Sequence, residues 1–281
     1  MALRIVTDTV ADLSAEVRAE HGIEMVPLTV HFGPESFLDV VEMSSDQFWQ
    51  KIGTTPHHPK TAQPAPGDFL KVYQPIIDSG DEILSIHVSG SLSGTISSAG
   101  VASSMLPSGK VTLVDTRSAS LGQGLLAIEA AERAKAGESA ESIAAFLNEL
   151  KERTHIFFSL DSLEFLQKNG RVGKAQAMLG GLLGIKPILQ VDREGVVAPA
   201  DKVRGKSKVL PRVLELMNER VPFGRRIKLG VLHTQDEPEA LRWLQILKEK
   251  YEVVDALVAP IGPVVATNVG PGAVGAAFFE V

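Results

Sequence analysis

Apolar residues along the chain follow two alternating rhythms. In the first half, short Val/Ile/Leu-rich runs are separated by stretches whose apolar positions recur three and four apart. Residues 3–8 (LRIVTD), 23–32 (IEMVPLTVHF), 82–88 (EILSIHV) and 110–116 (KVTLVDT) read as strands. Residues 14–22, 44–53, 66–80, 93–106, 118–137 and 138–154 read as helices, with Pro75 bending or shortening the third. Strand and helix alternating at this spacing predict parallel β-α-β units, whose ligands sit beyond the C-terminal strand ends.

Near residue 155 the rhythm changes. HIFFSL (155–160), KLGVLHT (228–234) and VVDALVAP (253–260) read as strands, and 185–192 with 195–204 as an antiparallel hairpin turning at Gly195. Helices are expected at 161–170, 175–184, 206–220 and 237–251, and the glycine-rich tail 262–281 ends in an apolar strand. The expected fold is α/β in two domains. One is an N-terminal parallel-sheet domain over 1–155; the other is a C-terminal α/β domain with a mixed or antiparallel sheet over 156–281.

Composition narrows the function classes. With 281 residues, 44% hydrophobic and 22% charged, the chain can bury a sizeable core without disulfides or metals. Cysteine is absent, which removes thiol catalysis and Cys-ligated zinc and fits a reducing, cytoplasmic setting. A net charge of −6 and 5% aromatic residues argue against nucleic-acid binding. Thr7, Asp8 and Asp12 break the first apolar stretch, so no signal peptide is expected. No window reaches the roughly 18–20 apolar residues of a membrane span, so no membrane insertion is expected either.

The chemistry-bearing segments are loops. Eight of the ten residues from Ser89 to Ser98 are Ser, Gly or Thr, placed where a strand turns into a helix. With Ser93 as N-cap, free amides and small hydroxyls there suit an anion, and eight such residues exceed what capping needs. KTAQPAPGDF (60–69) is a second hydroxyl-bearing loop entering a helix. Arg171 and Lys174 in KNGRVGKA, and the cluster DKVRGKSKVL at 201–210, are basic turns suited to phosphate or to an acidic partner. Asp12 reads as a helix cap, and Asp8 as either structural or lining a polar site. The seven histidines show no ligand spacing, so no metal is expected. No GxxxxGK[ST] loop occurs, and Gly90-Ser91-Leu92-Ser93-Gly94 does not form a nucleophile elbow.

IVTDTVADL, KTAQPAPGDF, SLSGTISSA, VDTRSASLGQG, LEFLQKNGRVGKAQAMLGGLLGIKPIL, KVRGKSK and GPVVATNVGPGAVG, in this order from residue 5 to 275, resemble the DegV family of bacterial proteins. The resemblance implies a role similar to that of the fatty-acid-binding subunit of bacterial fatty acid kinase. Such a subunit holds a long-chain fatty acid in a tunnel between its domains. It presents the carboxylate to a separate ATP-using kinase, and is itself neither an enzyme nor a cofactor carrier. On that resemblance Thr61, Ser93 and the Gly94 amide bind the carboxylate. Arg171 and Arg204 serve phosphoryl transfer or kinase docking, and Met178-Leu179-Gly180-Gly181-Leu182-Leu183 forms tunnel wall. The family usually has histidine in its last motif, as THVGPG; here Asn268 stands in its place. Asn268 can donate a hydrogen bond to the carboxylate but cannot carry positive charge. A carrier of another lipid or apolar acid, without phosphorylation, is the second reading. A stand-alone enzyme is a third, for which neither nucleophile nor nucleotide loop is found.

Overall fold

The computed structural model describes residues 2–178 and 184–281. Its first large sheet is parallel, in the order β2-β1-β6-β7: β1 Leu3–Asp8, β2 Ile23–Val26, β6 Glu82–His87 and β7 Val111–Asp115. Helices α1 (Ala15–His21), α2 (Ser45–Thr54), α3 (Pro66–Asp78), α4 (Thr95–Ser104), α5 (Leu121–Lys135) and α6 (Ala140–Leu150) connect and cover this half. Ser14 caps α1, and a Ser44–Gln47 capping box starts α2. Helix α3 runs through Pro75 and ends three residues later.

The expected single strand over 23–32 is instead two strands in different sheets. Pro27 has no N–H for the parallel ladder, and the next amide, Leu28, donates to Thr9 Oγ1 at 3.1 Å. The chain then leaves as β3 (Thr29–Phe32), which pairs antiparallel with β4 (Glu35–Leu38) and β5 (Lys60–Ala62) in a small three-stranded sheet.

The second large sheet is mixed, in the order β10-β9-β8-β13-β11-β12. Its strands are β8 His155–Ser159, β9 Ile185–Val191, β10 Val197–Arg204, β11 Arg226–His233, β12 Glu252–Pro260 and β13 Val274–Glu280. The β9–β10 hairpin forms as expected, with Gly195 at φ 75°. The tail strand β13 enters the middle of the sheet, antiparallel to both β8 and β11. Helices α7 (Glu164–Lys168), α8 (Val209–Arg220) and α9 (Glu237–Lys250) serve this half. Of the helix expected at 175–184, the described part up to Met178 belongs to a 3-10 turn, Gly173–Met178, and residues 179–183 lie outside the described residues. A further helix, α10 (Pro263–Val269), stands in the glycine-rich tail, for which only the terminal strand was expected.

Helix α5 joins the halves. Nearly every residue from Leu121 to Ala131 is buried, as befits a helix covered on all sides. One face packs on β1 and the other on β11 and β13. The approach is close enough to need glycine at two points. A Cβ on Gly230 would lie 2.8 Å from Leu121 Cβ, and one on Gly124 would lie 2.6 Å from the Ala11 carbonyl oxygen. The largest core cluster accordingly contains Ile5, Leu84 and Leu125 together with Ile156, Leu232 and Phe279.

Gly124→Ala tests this contact, because helix propensity alone would favour alanine by about 1 kcal/mol. Against the Ala11 carbonyl the substitution is expected to destabilise the protein by roughly 1–3 kcal/mol. A urea midpoint that falls with an unchanged m-value is the expected reading; a raised midpoint would mean the helix is not pressed on that carbonyl.

Candidate functional site

Beyond the C-terminal ends of β1, β6 and β7, the two large sheets leave a cavity of about 370 Å³, within the roughly 300–1,000 Å³ of small-molecule pockets. Its walls come from both halves. Val10, Leu28, Val88, Leu92 and Ala119 face Ile156, Phe158, Val191, Val197, Leu232 and Ile261, and α10 contributes Val264, Val265 and Val269. The polar lining consists of Thr61, Gln63, Ser93, Ser120, Arg171 and Asn268.

Five of these polar residues sit on segments tied to one another. Thr61 lies on β5 opposite Val30, and its hydroxyl has no partner among the described residues. Gln63 donates to Ser98 Oγ at 3.2 Å and lies over Gly94, where a Cβ would come within 2.3 Å of its Oε1. Arg171 donates to the Leu92 carbonyl at 3.3 Å and to the Asn169 carbonyl at 2.7 Å. Asn169 in turn donates to the Thr267 carbonyl at 2.8 Å. Segments 61–63, 92–94, 169–171 and 267–268 therefore meet, although they are distant in sequence.

The Ser/Gly run divides its hydroxyls between two tasks. Ser89 and Ser91 donate to the carbonyls of Gly195 and Glu194, at 2.7 and 2.8 Å, and so fasten the loop to the β9–β10 hairpin. This contact fixes Gly195, since a Cβ there would lie 2.1 Å from Ser89 Oγ. Ser93 faces the cavity. The N-cap of α4 is Gly94, not Ser93, because the turn closes one residue later. Ser93 Oγ still accepts from the Thr95 N–H at 3.3 Å and lies 2.8 Å from Thr95 Oγ1. Gly94 does not itself line the cavity; its N–H, at the helix entry, has no partner among the described residues.

Asn268 lies on α10, where Nδ2 donates to the Val264 carbonyl at 2.9 Å and the buried Oδ1 has no partner among the described residues. Arg171 is exposed and its guanidinium meets carbonyls but no carboxylate among the described residues. Arg204 is not brought in. It ends β10, exposed, opposite Ile185 and outside the cavity lining. Of the expected tunnel wall, Met178 packs against the main core cluster, and Leu179 to Leu183 lie outside the described residues.

Of the two aspartates, Asp8 takes one of its expected roles and Asp12 departs from its own. Asp8 is structural: it accepts from the Val10 and Val88 amides at 3.0 and 3.1 Å and bonds His87 Nδ1 at 2.8 Å, knotting β1 to β6. Asp12 closes the 3-10 turn Thr9–Ala11 through its backbone N–H, but its side chain caps no helix of its own. It is buried with φ 51°, accepts from Ser120 Oγ, and accepts from the Gly262 N–H at 2.9 Å. Asp39, also buried, accepts from the Val264 N–H at 3.4 Å, while its Oδ2 has no partner among the described residues. Two carboxyls of the first half thus hold the start of α10, the helix that carries Asn268. Burial raises Asp12 from 3.8 to about 8 and Asp39 from 3.8 to about 7, against the lowering effect of their hydrogen bonds.

Pattern reading missed Gln63, Ser120 and the α10 valines. The signal for α10 was present: Pro263 at the first helical turn and Gly270, φ 72°, closing it. Gln63 was legible only as part of a loop, since its bond to Ser98 spans two elements.

The fold and cavity define a two-domain α/β protein with an amphiphilic cavity between its sheets. The family model for uncharacterised proteins of the DegV family matches residues 2–281, and the chain belongs to that family. It is 36% identical over 276 residues to the protein DegV of Bacillus subtilis, covering 98% of each chain. It is 38% identical over 277 residues to a DegV domain-containing protein of Deinococcus radiodurans, covering 99% of this chain and 98% of that one. A DegV family protein from Thermus thermophilus, whose structure is described by its fatty acid binding, superposes with a TM-score of 0.93 at 36% identity over 100% of both chains. The B. subtilis DegV structure, described as a fatty acid binding protein, superposes at 0.90 with 34% identity, also over 100% of both.

The raised Asp12 pKa has a defined sign. Below about 3.8 both folded and unfolded states keep the proton, and above about 8 both have lost it. Between these values only the unfolded state ionises, so this group's contribution to stability falls as pH rises. Asp39 acts in the same direction up to about 7. Denaturation of wild type and Asp12→Asn across this window should show wild type losing stability relative to the variant as pH increases. A difference independent of pH would place Asp12 as a carboxylate throughout.

Proposed function

We propose that the protein is a carrier of a long-chain fatty acid, working in the cytoplasm and presenting the acid's carboxylate to a separate ATP-dependent fatty acid kinase. The observation that carries this reading is the cavity itself, with hydroxyl, amide and guanidinium groups on converging loops and aliphatic side chains elsewhere. Membership of the DegV family, and the fatty acid binding described for relatives at 34–36% identity, support it.

In this reading Thr61 and Ser93 donate to the carboxylate, with the Gly94 N–H and the positive end of α4 behind them. Half a turn of the Asn268 amide would bring its NH₂ to the place now held by the unpartnered Oδ1. Arg171, with no competing carboxylate among the described residues, offsets charge as the phosphoryl group arrives. Arg204, apart from the cavity, is assigned to the kinase contact. The proposed division of the chain near residue 155 leaves the carboxylate hydroxyls on the first half and the cations on the second.

Magnitudes separate the two ends of the ligand. Burying ~14 methylenes at ~0.8 kcal/mol each gives roughly 11 kcal/mol before the costs of association. A hydrogen bond to a charged group contributes about 1.5–3 kcal/mol. The tail therefore dominates affinity, and the carboxylate contacts orient the acid.

Thr61→Val combined with Ser93→Ala should weaken fatty acid binding roughly tenfold or more without abolishing it, as read by displacement of a fluorescent fatty acid. Unchanged affinity in the folded variant would remove the carboxylate site from these residues. With ATP alone no turnover is expected; adding a bacterial fatty acid kinase should start it. Binding without turnover in that mixture would favour a carrier of an apolar acid that is not phosphorylated, with Asn268 as the departure responsible.

A further inference from the structure

A second cavity, of about 480 Å³, opens between the turn after β7, the α6–β8 connection, the β9–β10 hairpin and the C-terminal end of α8. In a chain of net charge −6 its lining is rich in cations: Arg117, Lys151, Arg153, Arg193 and Arg220. Its acidic residues are Glu152, Asp192 and Glu219, and two of these are engaged elsewhere. Asp192 pairs with Lys174 at 2.6 Å and Glu219 with Arg212 at 3.7 Å, and neither cation lines the cavity. Only Glu152 pairs within it, with Arg117 at 3.1 Å.

The remaining cations meet neutral groups or nothing. Lys151 donates to the Asp115 carbonyl at 3.0 Å and to Asn148 Oδ1 at 2.6 Å, and Arg153 donates to the Glu280 carbonyl at 3.2 Å. The guanidinium groups of Arg193 and Arg220 have no partner among the described residues. Arg117 has φ 48°, a left-handed conformation unusual for a long side chain, held by its N–H donating to Asp115 Oδ1 at 2.8 Å. The uncompensated charge is felt by a neighbour: burial, then Arg220 and Arg193, depress His155 from 6.5 to about 4.

We propose that this cavity binds a phosphate-bearing anion through the guanidinium groups of Arg193, Arg220 and Arg117. Phosphate is favoured over a carboxylate because five cations line the cavity against three acids, two of which pair with cations outside it, an excess that a dianion with three acceptor oxygens matches better than a monoanion. The site is independent of the fatty acid reading, since of its lining only Val191 is shared with the apolar cavity.

Titration calorimetry of the full-length protein with inorganic phosphate and pyrophosphate, and with acetate as the monoanion control, tests the proposal. Saturable phosphate binding is expected, weakened by salt, with His155 ring resonances titrating at higher pH when phosphate is bound. Arg193→Gln with Arg220→Gln should weaken binding roughly tenfold or more and leave extractable lipid unchanged. The corresponding double lysine variant controls for charge and should retain part of the binding. Flotation with phosphatidylglycerol against phosphatidylcholine vesicles distinguishes a lipid headgroup from a soluble phosphate as the source. Failure of both phosphates and anionic vesicles to bind, equal binding by the folded glutamine variant, or acetate binding as well as phosphate would each overturn the assignment.

Discussion

The structure depends on the burial of α5, from Leu121 to Ala131, between two sheets. Its glycines and alanines let the strands approach on both sides, with Leu121 set against Gly230 and Gly124 against the Ala11 carbonyl. The fully buried polar residue on this stretch, Gln123, donates to Thr7 Oγ1 at 3.0 Å. A helix so enclosed fixes the separation of the sheets. It begins only at Leu121, and the two residues before it, Ala119 and Ser120, already line the cavity. The cavity is the part of the interdomain space that α5 does not fill.

Given that gap, its closure relies on hydrogen bonds between residues far apart in sequence. Ser89 and Ser91 hold the hairpin carbonyls, and Asp12 and Asp39 hold the amides at the start of α10. Ser45 Oγ adds a bond to the Ile261 carbonyl at 3.1 Å. The bonds to the Gly195 carbonyl and to the Gly262 and Val264 amides satisfy backbone groups that would otherwise be buried alone. They also account for hydroxyls in the Ser/Gly run, where Ser93 faces the cavity and Ser89 and Ser91 hold the loop that positions it. No helix among the described residues is long and apolar enough to cross a membrane.

Much of this was legible in the sequence. The β-α alternation, the Gly195 hairpin and the apolar tail strand follow from periodicity and turn chemistry, and both domains have the expected sheet types. Thr61, Ser93, Arg171 and Asn268, picked from separate loops, line one cavity. The misreadings share a physical cause. Pro27 interrupts a continuous apolar run, and only tertiary pairing shows that the chain changes sheets there. Asp12 looks like a cap by position, yet its partner, Gly262, lies 250 residues away.

The most direct test of the central claim is mass spectrometry of an organic extract from purified, folded protein. A long-chain fatty acid from the expression host is expected in near-stoichiometric amount. An extract without fatty acid, from protein shown to be folded, would contradict it.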